Sequence, residues 1–158
     1  MVTDLYHNRV LELAADIPNT GRLESPDGTA HKVSRVCGSE VWVDVDLSED
    51  RSQITAIAVE SKACALGAAS LSVLSGNAVG AKVEDVRTAR DALRGMLKEG
   101  GEPPTGRFWE LRHLEGVADY PQRHQSTMLA FDAAVAAIED ALSLDEADTA
   151  EEQTAPEP

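Results

Sequence analysis

The chain contains little cysteine, few basic side chains and no long apolar run. Only 2 of its 158 residues are cysteine, which excludes the disulfide framework of small secreted domains. Its 14 lysines and arginines are outnumbered by 28 acids, and the net charge of -14 argues against nucleic acid or an anionic membrane as a partner. No apolar run approaches the ~20 residues of a membrane span, and the start lacks a basic region followed by an apolar stretch. We therefore expect a cytoplasmic protein without a membrane segment.

Composition predicts one folded domain followed by an acidic tail. The hydrophobic content of 42% is enough to fill a single core in a chain of this length. After Leu142 the sequence has no base, little to bury and six acids: Asp145, Glu146, Asp148, Glu151, Glu152 and Glu157. We expect a domain over residues 1–142 and a disordered tail over residues 143–158.

The first third of the chain predicts a short helix and a small sheet. A helix is expected from Asp4 to about Ile17, where Pro18 stops it. Turn signals then leave room for an edge strand at residues 22–24 and another at residues 30–36. The clearest strand is 40–47, which alternates strictly, so we expect its apolar residues to face the core and its acids, Asp44 and Asp46, to face water. A polar turn leads to its hairpin partner at residues 54–60.

The pattern of the remaining residues predicts helices. Small and apolar residues predict one helix from Ala65 to Asn77, and a second is expected over residues 83–99, ended by Gly100-Gly101. Trp109, Leu111 and Leu114 suggest a short helix. Pro121 opens the last helix, whose apolar seam predicts core packing and consists of Met128, Phe131, Val135, Ile138 and Leu142. The fold class is therefore α+β, with a small three-stranded antiparallel sheet packed against a group of helices.

The two cysteines occupy positions suited to chemistry. Cys37 comes just before the alternating strand, and Cys64 stands where a small-residue helix begins. The backbone N–H groups at a helix start favour a thiolate, the form that binds metal and attacks sulfur, and Lys62 acts in the same direction. Metal binding, sulfur chemistry and plain burial all remain open for these residues.

In order and spacing, several motifs resemble the family of iron-sulfur cluster scaffolds, the NifU-like N-terminal domains that include IscU and SufU. The matching segments are Leu5-Tyr6, Pro18-Asn19-Thr20-Gly21, Asp27-Gly28-Thr29-Ala30, Cys37-Gly38 and the run from Cys64 to Ser70. The resemblance spans nearly all of residues 4–142, and the long stretch before the last helix looks like the SufU branch. It implies a non-catalytic scaffold that builds a [2Fe-2S] cluster, or a zinc-holding protein that accepts persulfide sulfur from a cysteine desulfurase.

The chain departs from the ligand set that the resemblance implies. Family members use three cysteines and an aspartate two residues after the first cysteine. Here the aspartate position is Ser39 and the third-cysteine position is Ser126. A serine hydroxyl is a poor ligand at neutral pH unless a metal deprotonates it. The loss of the third cysteine also argues against the sulfur-accepting role.

His124, two residues before Ser126, is the candidate replacement ligand, because imidazole binds zinc and ligates some iron-sulfur clusters. Residues two apart on a helix point about 200° apart, so His124 and Ser126 share a ligand only if the helix begins after His124. The alternative is that His124 is a surface or capping residue. We expect His7, His31 and His113 to be solvated or packed.

Three functions follow from these observations. The first is a scaffold or carrier that binds iron or a [2Fe-2S] cluster through Cys37 and Cys64, with the shell completed by a second chain in a homodimer, by His124 or by glutathione. Its partners would be a cysteine desulfurase and cluster-accepting proteins. The second is a diverged, metal-free member that acts by binding the sulfur-mobilising machinery. The third is a zinc-stabilised sulfurtransferase accessory, which we rank last because of Ser126.

Overall fold

The computed structural model of the chain describes residues 7–35 and 38–154, with side chains described up to residue 143. Its strands are β1 (Gly28–Val33), β2 (Glu40–Leu47) and β3 (Ile54–Lys62). Its α-helices are α1 (Asn8–Ala15), α2 (Ala65–Asn77), α3 (Val83–Glu99) and α4 (His124–Thr154). Two 3₁₀ segments, Gly106–Asp119 and Pro121–Arg123, lie between α3 and α4.

The three strands form one antiparallel sheet in the order β1-β2-β3, which confirms the predicted α+β class. The alternation of β2 buries Val41, Val43, Val45 and Leu47 as predicted. The prediction that its acids face water is wrong for Asp44, which is 1% exposed. Arg22 and Thr29 supply hydrogen-bond donors to its carboxylate, and these donors offset the cost of burying it.

The region before β1 differs from its prediction. Residues 22–24 form no strand; instead Asn19 and Gly21 exchange backbone hydrogen bonds with Val59, and Thr20 forms a single bridge to it. Turn residues here satisfy the backbone without a fourth strand. The next strand begins at Gly28 and ends at Val33, two residues earlier at its start and three at its end than expected. Helix α1 is described from Asn8, and the predicted cap Asp4 lies outside the described residues.

Helix α2 is the centre of the molecule, because all ten residues from Leu66 to Ser75 are buried. Helix α4 crosses β1 and β2 and also packs against α2 and α3. The predicted bounds of α2 and α3 are confirmed, and Gly100 ends α3 in a left-handed conformation, with φ of 68°. The sheet, α2 and α4 therefore share one core.

The segment after α3 is a long 3₁₀ stretch rather than a short helix. Leu111 and Leu114 are buried, whereas Trp109 is 46% exposed beneath the guanidinium of Arg112. The seam of α4 packs in the core as predicted. Helix α4 continues past Leu142 to Thr154, into the segment whose composition predicts disorder, and the domain boundary at residue 142 stays a prediction. In the part of the chain that the structure describes, no helix has both the length and the apolar character needed to span a bilayer.

Candidate thiol site at one end of the sheet

Cys64 occupies the N-cap position of α2. Its backbone is extended, with φ of -69° and ψ of 171°, and its carbonyl accepts the Ala68 N–H at 2.9 Å. The residue is half-buried and its thiol is free. Cys64 therefore stands at the start of a buried helix, as the sequence predicts, but its thiol makes no capping hydrogen bond to the N–H groups of the first turn.

The strand register brings the segments on either side of both cysteines to one end of the sheet. Glu40, the first residue of β2, pairs with Lys62, the last residue of β3. The chain enters β2 through residues 38–39 and leaves β3 through residues 63–64 at this same end. Cys37 itself lies outside the described residues.

The base of the loop that carries Cys37 is closed by backbone hydrogen bonds. The Ser34 N–H donates to the Ser39 carbonyl at 2.8 Å, and the Gly38 N–H donates to the Ser34 carbonyl at 2.8 Å. Gly38 has a φ of 75°, a left-handed conformation that glycine adopts without a Cβ penalty. Ser39 is 4% exposed, so the residue at the family's aspartate position is buried beside this loop base.

Ser126 is the polar neighbour of Cys64. The thiol donates to the Ser126 hydroxyl over 3.7 Å, and that hydroxyl donates to the Arg123 carbonyl at 3.2 Å. Ser126 is 1% exposed. A Cβ added at Gly67 would lie 3.0 Å from the Ser126 carbonyl oxygen, so glycine at this position permits α2 and α4 to approach here.

A second contact, which sequence reasoning missed, ties the Cys37 loop to α4. The Ser34 hydroxyl donates to Gln125 Oε1 at 3.2 Å. Gln125 directly precedes Ser126, so the loop base, the start of α4 and Cys64 form one connected group. The only signal for Gln125 in the sequence is its position beside Ser126.

The His124 side chain is directed to the 3₁₀ segment that precedes it. The helix begins at His124, so the geometry that would let His124 and Ser126 share a ligand is absent. His124 is 7% exposed, and its Nε2 lies 3.0 Å from the Val117 carbonyl and 3.2 Å from the Ala118 carbonyl. Because both partners only accept, the proton of a neutral ring lies on Nε2. Nδ1 then remains as the ring atom with a lone pair.

The other histidines are solvated or packed, as expected: His31 is exposed, and His7 and His113 are half-buried. His31 stacks on Trp42 with ring centroids 4.6 Å apart, and His7 and His113 meet edge to face at 5.4 Å. Within residues 7–35 and 38–143, no three His, Cys, Asp or Glu side chains converge to hold a metal ion. In the described part of the site, the thiol therefore has the Ser126 hydroxyl as its polar contact.

The fold and the site define a small α+β domain with a free, half-buried thiol at one end of its sheet. The chain belongs to the family of NifU-like N-terminal domains, whose model matches residues 5–148. This result confirms the resemblance seen in the motifs.

Individual relatives agree with that assignment. The structure of a nitrogen-fixing NifU-like protein (N-terminal) from Brucella abortus is similar at 42% identity and a TM-score of 0.87, over 90% of this chain and 97% of that chain. The iron-sulfur cluster assembly scaffold protein IscU of Streptococcus pyogenes serotype M1 is 29% identical over 102 residues. That match covers 65% of this chain and 63% of the relative, just under two thirds of its length.

A third likeness concerns the fold alone. A proposed scaffold protein for the SUF system from Fervidobacterium islandicum AW-1 has a TM-score of 0.78 at 18% identity. The match covers 87% of this chain and 99% of that chain. At this identity the agreement extends to the architecture and not to the site.

Proposed function

We propose that the chain is a scaffold or carrier in iron-sulfur cluster assembly and that it binds iron or a [2Fe-2S] cluster as cargo through Cys37 and Cys64. Membership of the NifU-like family and the names of the Brucella and Streptococcus relatives support this role. The protein holds its cargo and passes it on, and it is not a catalyst.

The observation that carries the proposal is the position of Cys64. Its free thiol sits half-buried at the start of α2, 3.7 Å from Ser126 and at the end of the sheet where the Cys37 loop enters β2. Helix N-termini in general favour the thiolate, which is the form of cysteine that binds iron. Partial exposure leaves the sulfur open to an incoming ion or cluster.

Two cysteines do not complete a cluster shell. The hydroxyl of Ser126 is a weak ligand, and here it is already bonded to the Arg123 carbonyl. We propose that a second chain in a homodimer supplies the remaining thiolates; Ser39, glutathione or His124 through Nδ1 are the alternatives. The same two thiolates would also bind zinc, whose four-coordinate shell would likewise need further ligands.

The partners of such a carrier are a cysteine desulfurase, which supplies sulfur, and proteins that accept clusters. A cytoplasmic location agrees with this role. The sulfur-accepting function that uses a third thiol is not favoured, because Ser126 stands at the third-cysteine position.

Anaerobic reconstitution with iron and sulfide tests the proposal. We expect a [2Fe-2S] absorption spectrum in the native chain and its loss in Cys37→Ala and in Cys64→Ala. Ser48→Ala, which removes a hydroxyl from the β2–β3 turn, is the control and should bind as the native chain does. A reduced protein that never develops cluster absorbance and retains no iron or zinc would refute the carrier role.

The second candidate function is a metal-free partner of the sulfur-mobilising machinery. It is favoured by the Ser126 hydroxyl, which is already bonded to the Arg123 carbonyl within the chain. In that case Cys37→Ala and Cys64→Ala would leave desulfurase binding unchanged in a pull-down with purified proteins. A carrier whose cargo contributes to the interface would bind the desulfurase differently in the two variants.

A further inference from the structure

The outer edge of β1 has backbone groups that face away from β2. Thr29 donates its N–H outward, to Asp140 Oδ2 at 3.0 Å, whereas the Ser34 N–H points inward to the Ser39 carbonyl. Backbone direction alternates along a strand, so the N–H and C=O groups of His31 and Val33 point outward with those of Thr29. The sheet order places no strand beside this edge in the described part of the chain.

Helix α4 covers this edge at Gly28 and Thr29, whereas residues 31–33 open onto a groove. Val33 is 46% exposed, and the last three residues of β1 are all exposed. Lys32 and Val33 line a groove of about 370 Å³ whose other walls are α3 and α4. Its α4 wall runs from Gln125 to Glu139, about 20 Å at 1.5 Å per residue, which matches about six extended residues.

Basic side chains cluster in this groove, although the chain as a whole is acidic. Lys32, Arg90 and Arg94 line it, together with the acids Asp132 and Glu139. Burial raises the pKa of Asp132, and Arg94 Nη2 lies 3.7 Å from its carboxylate. Arg90 also pairs with the exposed Asp91 at 2.8 Å, and Lys98 is a further base that acts on Asp132. Four bases and three acids therefore meet here, whereas the whole chain has a net charge of -14.

We propose that the free edge of β1 and this groove form a docking site for an extended acidic segment of a partner protein, which adds as a fourth strand. The outward groups of His31 and Val33 would bond its backbone, and Lys32, Arg90 and Arg94 would receive its carboxylates. Strand addition suits this edge because the backbone bonds supply affinity while the basic side chains select the partner.

The site lies next to the thiol but does not depend on it. Gln125 lines one end of the groove, accepts the Ser34 hydroxyl and precedes Ser126. A segment in the groove would therefore bring its protein close to Cys64. The inference goes beyond the carrier function, and it holds equally for the metal-free alternative.

The test uses an end-blocked synthetic peptide of alternating valine and glutamate, titrated into the full-length protein and followed by amide chemical shifts. We expect the largest shifts at His31 and Val33. A peptide with lysine in place of glutamate should bind weaker by on the order of tenfold, because the lining is cationic. Arg94→Glu should weaken the acidic peptide similarly, and Arg112→Glu, the same change on the Gly106–Asp119 segment that does not line the groove, should not.

Val33→Pro sharpens the test, because proline removes an outward N–H and leaves the bonds between β1 and β2 intact. It should abolish binding. Should this variant fail to fold, Arg94→Glu decides alone. The proposal fails if the peptide moves no β1 amide, if the lysine peptide binds equally well, or if Arg94→Glu has no effect. The amide shifts of His31 and Val33 should also be measured without peptide at several protein concentrations. If they change with concentration, the edge binds a second copy of the chain and the proposal is overturned.

Discussion

The two ends of the sheet are built from different chemistry. Where β1 begins, charged groups are tied together: the Asp44 carboxylate accepts hydrogen bonds from Arg22, Thr29 and the Leu23 N–H. At the opposite end, the polar contact described for Cys64 is the neutral hydroxyl of Ser126, and their hydrogen bond spans 3.7 Å.

The difference separates the part of the sheet that fixes the fold from the part that offers reactivity. A buried carboxylate with several donors holds one arrangement, because any displacement leaves its charge unpaired. A thiol beside a single hydroxyl loses little when it changes partner, as binding of a metal or of sulfur requires.

Gly28→Ala should have the largest effect, because it disrupts the end that fixes the fold. An added Cβ would lie 2.0 Å from the Ala137 carbonyl oxygen and 2.7 Å from the Ala141 N, both backbone atoms of α4. We expect a loss of about 3 kcal/mol or more in the free energy of unfolding. Urea denaturation measures it, and a variant as stable as the native chain would contradict the close packing of β1 on α4.

Asp44→Asn should come next, at about 2 kcal/mol, since it weakens hydrogen bonds to a buried group while Arg22 stays partly solvated. Burial alone would raise the pKa of Asp44, but the bonds from Arg22, Thr29 and the Leu23 N–H outweigh it and lower the pKa below 3.8. The stabilisation is therefore complete above the unfolded pKa and is lost as the pH falls through the lowered folded value.

The control for that change is Asp46→Asn, because the Asp46 carboxylate accepts the Asp27 N–H and an amide oxygen can do the same. We expect it to change stability by less than about 0.5 kcal/mol. Denaturation at pH 7 and at pH 3 should show a smaller acid loss for Asp44→Asn than for the native chain. An equal loss of stability at pH 3 in both proteins would show that Asp44 does not cause the acid sensitivity.

Asp44 also shows why sequence reasoning places some side chains and not others. Alternation correctly assigns Val41, Val43 and Val45 to the core, because apolar burial depends on the period of the strand alone. The other face of β2 is buried at Asp44 by the segment around Arg22, which local pattern does not bring there. Pairs distant in sequence, such as Ser34 with Gln125, are beyond local reasoning for the same reason.

In the candidate site, too, local sequence patterns predict some positions and not others. The position of Cys64 at the start of α2 follows from a local change from strand to helix. The approach of Ser126 required the family resemblance, because it depends on how α4 packs against α2. The involvement of His124 with the carbonyls of Val117 and Ala118 depends on the preceding 3₁₀ segment, whose path the sequence does not indicate.

Ser126→Cys replaces the hydroxyl partner of Cys64 with a second thiol. The new sulfur would stand beside Cys64, and a thiolate is a far better zinc ligand than a hydroxyl. We expect zinc affinity to rise by on the order of tenfold or more in chelator competition. The gain should vanish when Cys64→Ala is added; a gain that survives it would show that the metal binds elsewhere.

Gly67→Ala should have the smallest effect on stability and a measurable one on the thiol. The new Cβ would lie 3.0 Å from the Ser126 carbonyl and 3.3 Å from the Ala63 Cβ, so α2 must shift by a few tenths of an ångström. The helix gains about 1 kcal/mol from replacing glycine, which roughly offsets this strain. Gly95→Ala on α3 meets nothing within 4 Å, so as the matched control it should show that gain in full. Thiol labelling should then change for Gly67→Ala and not for Gly95→Ala, because only the first moves the Cys64–Ser126 contact. Identical labelling in both variants would mean that the approach of α2 to α4 does not control the thiol.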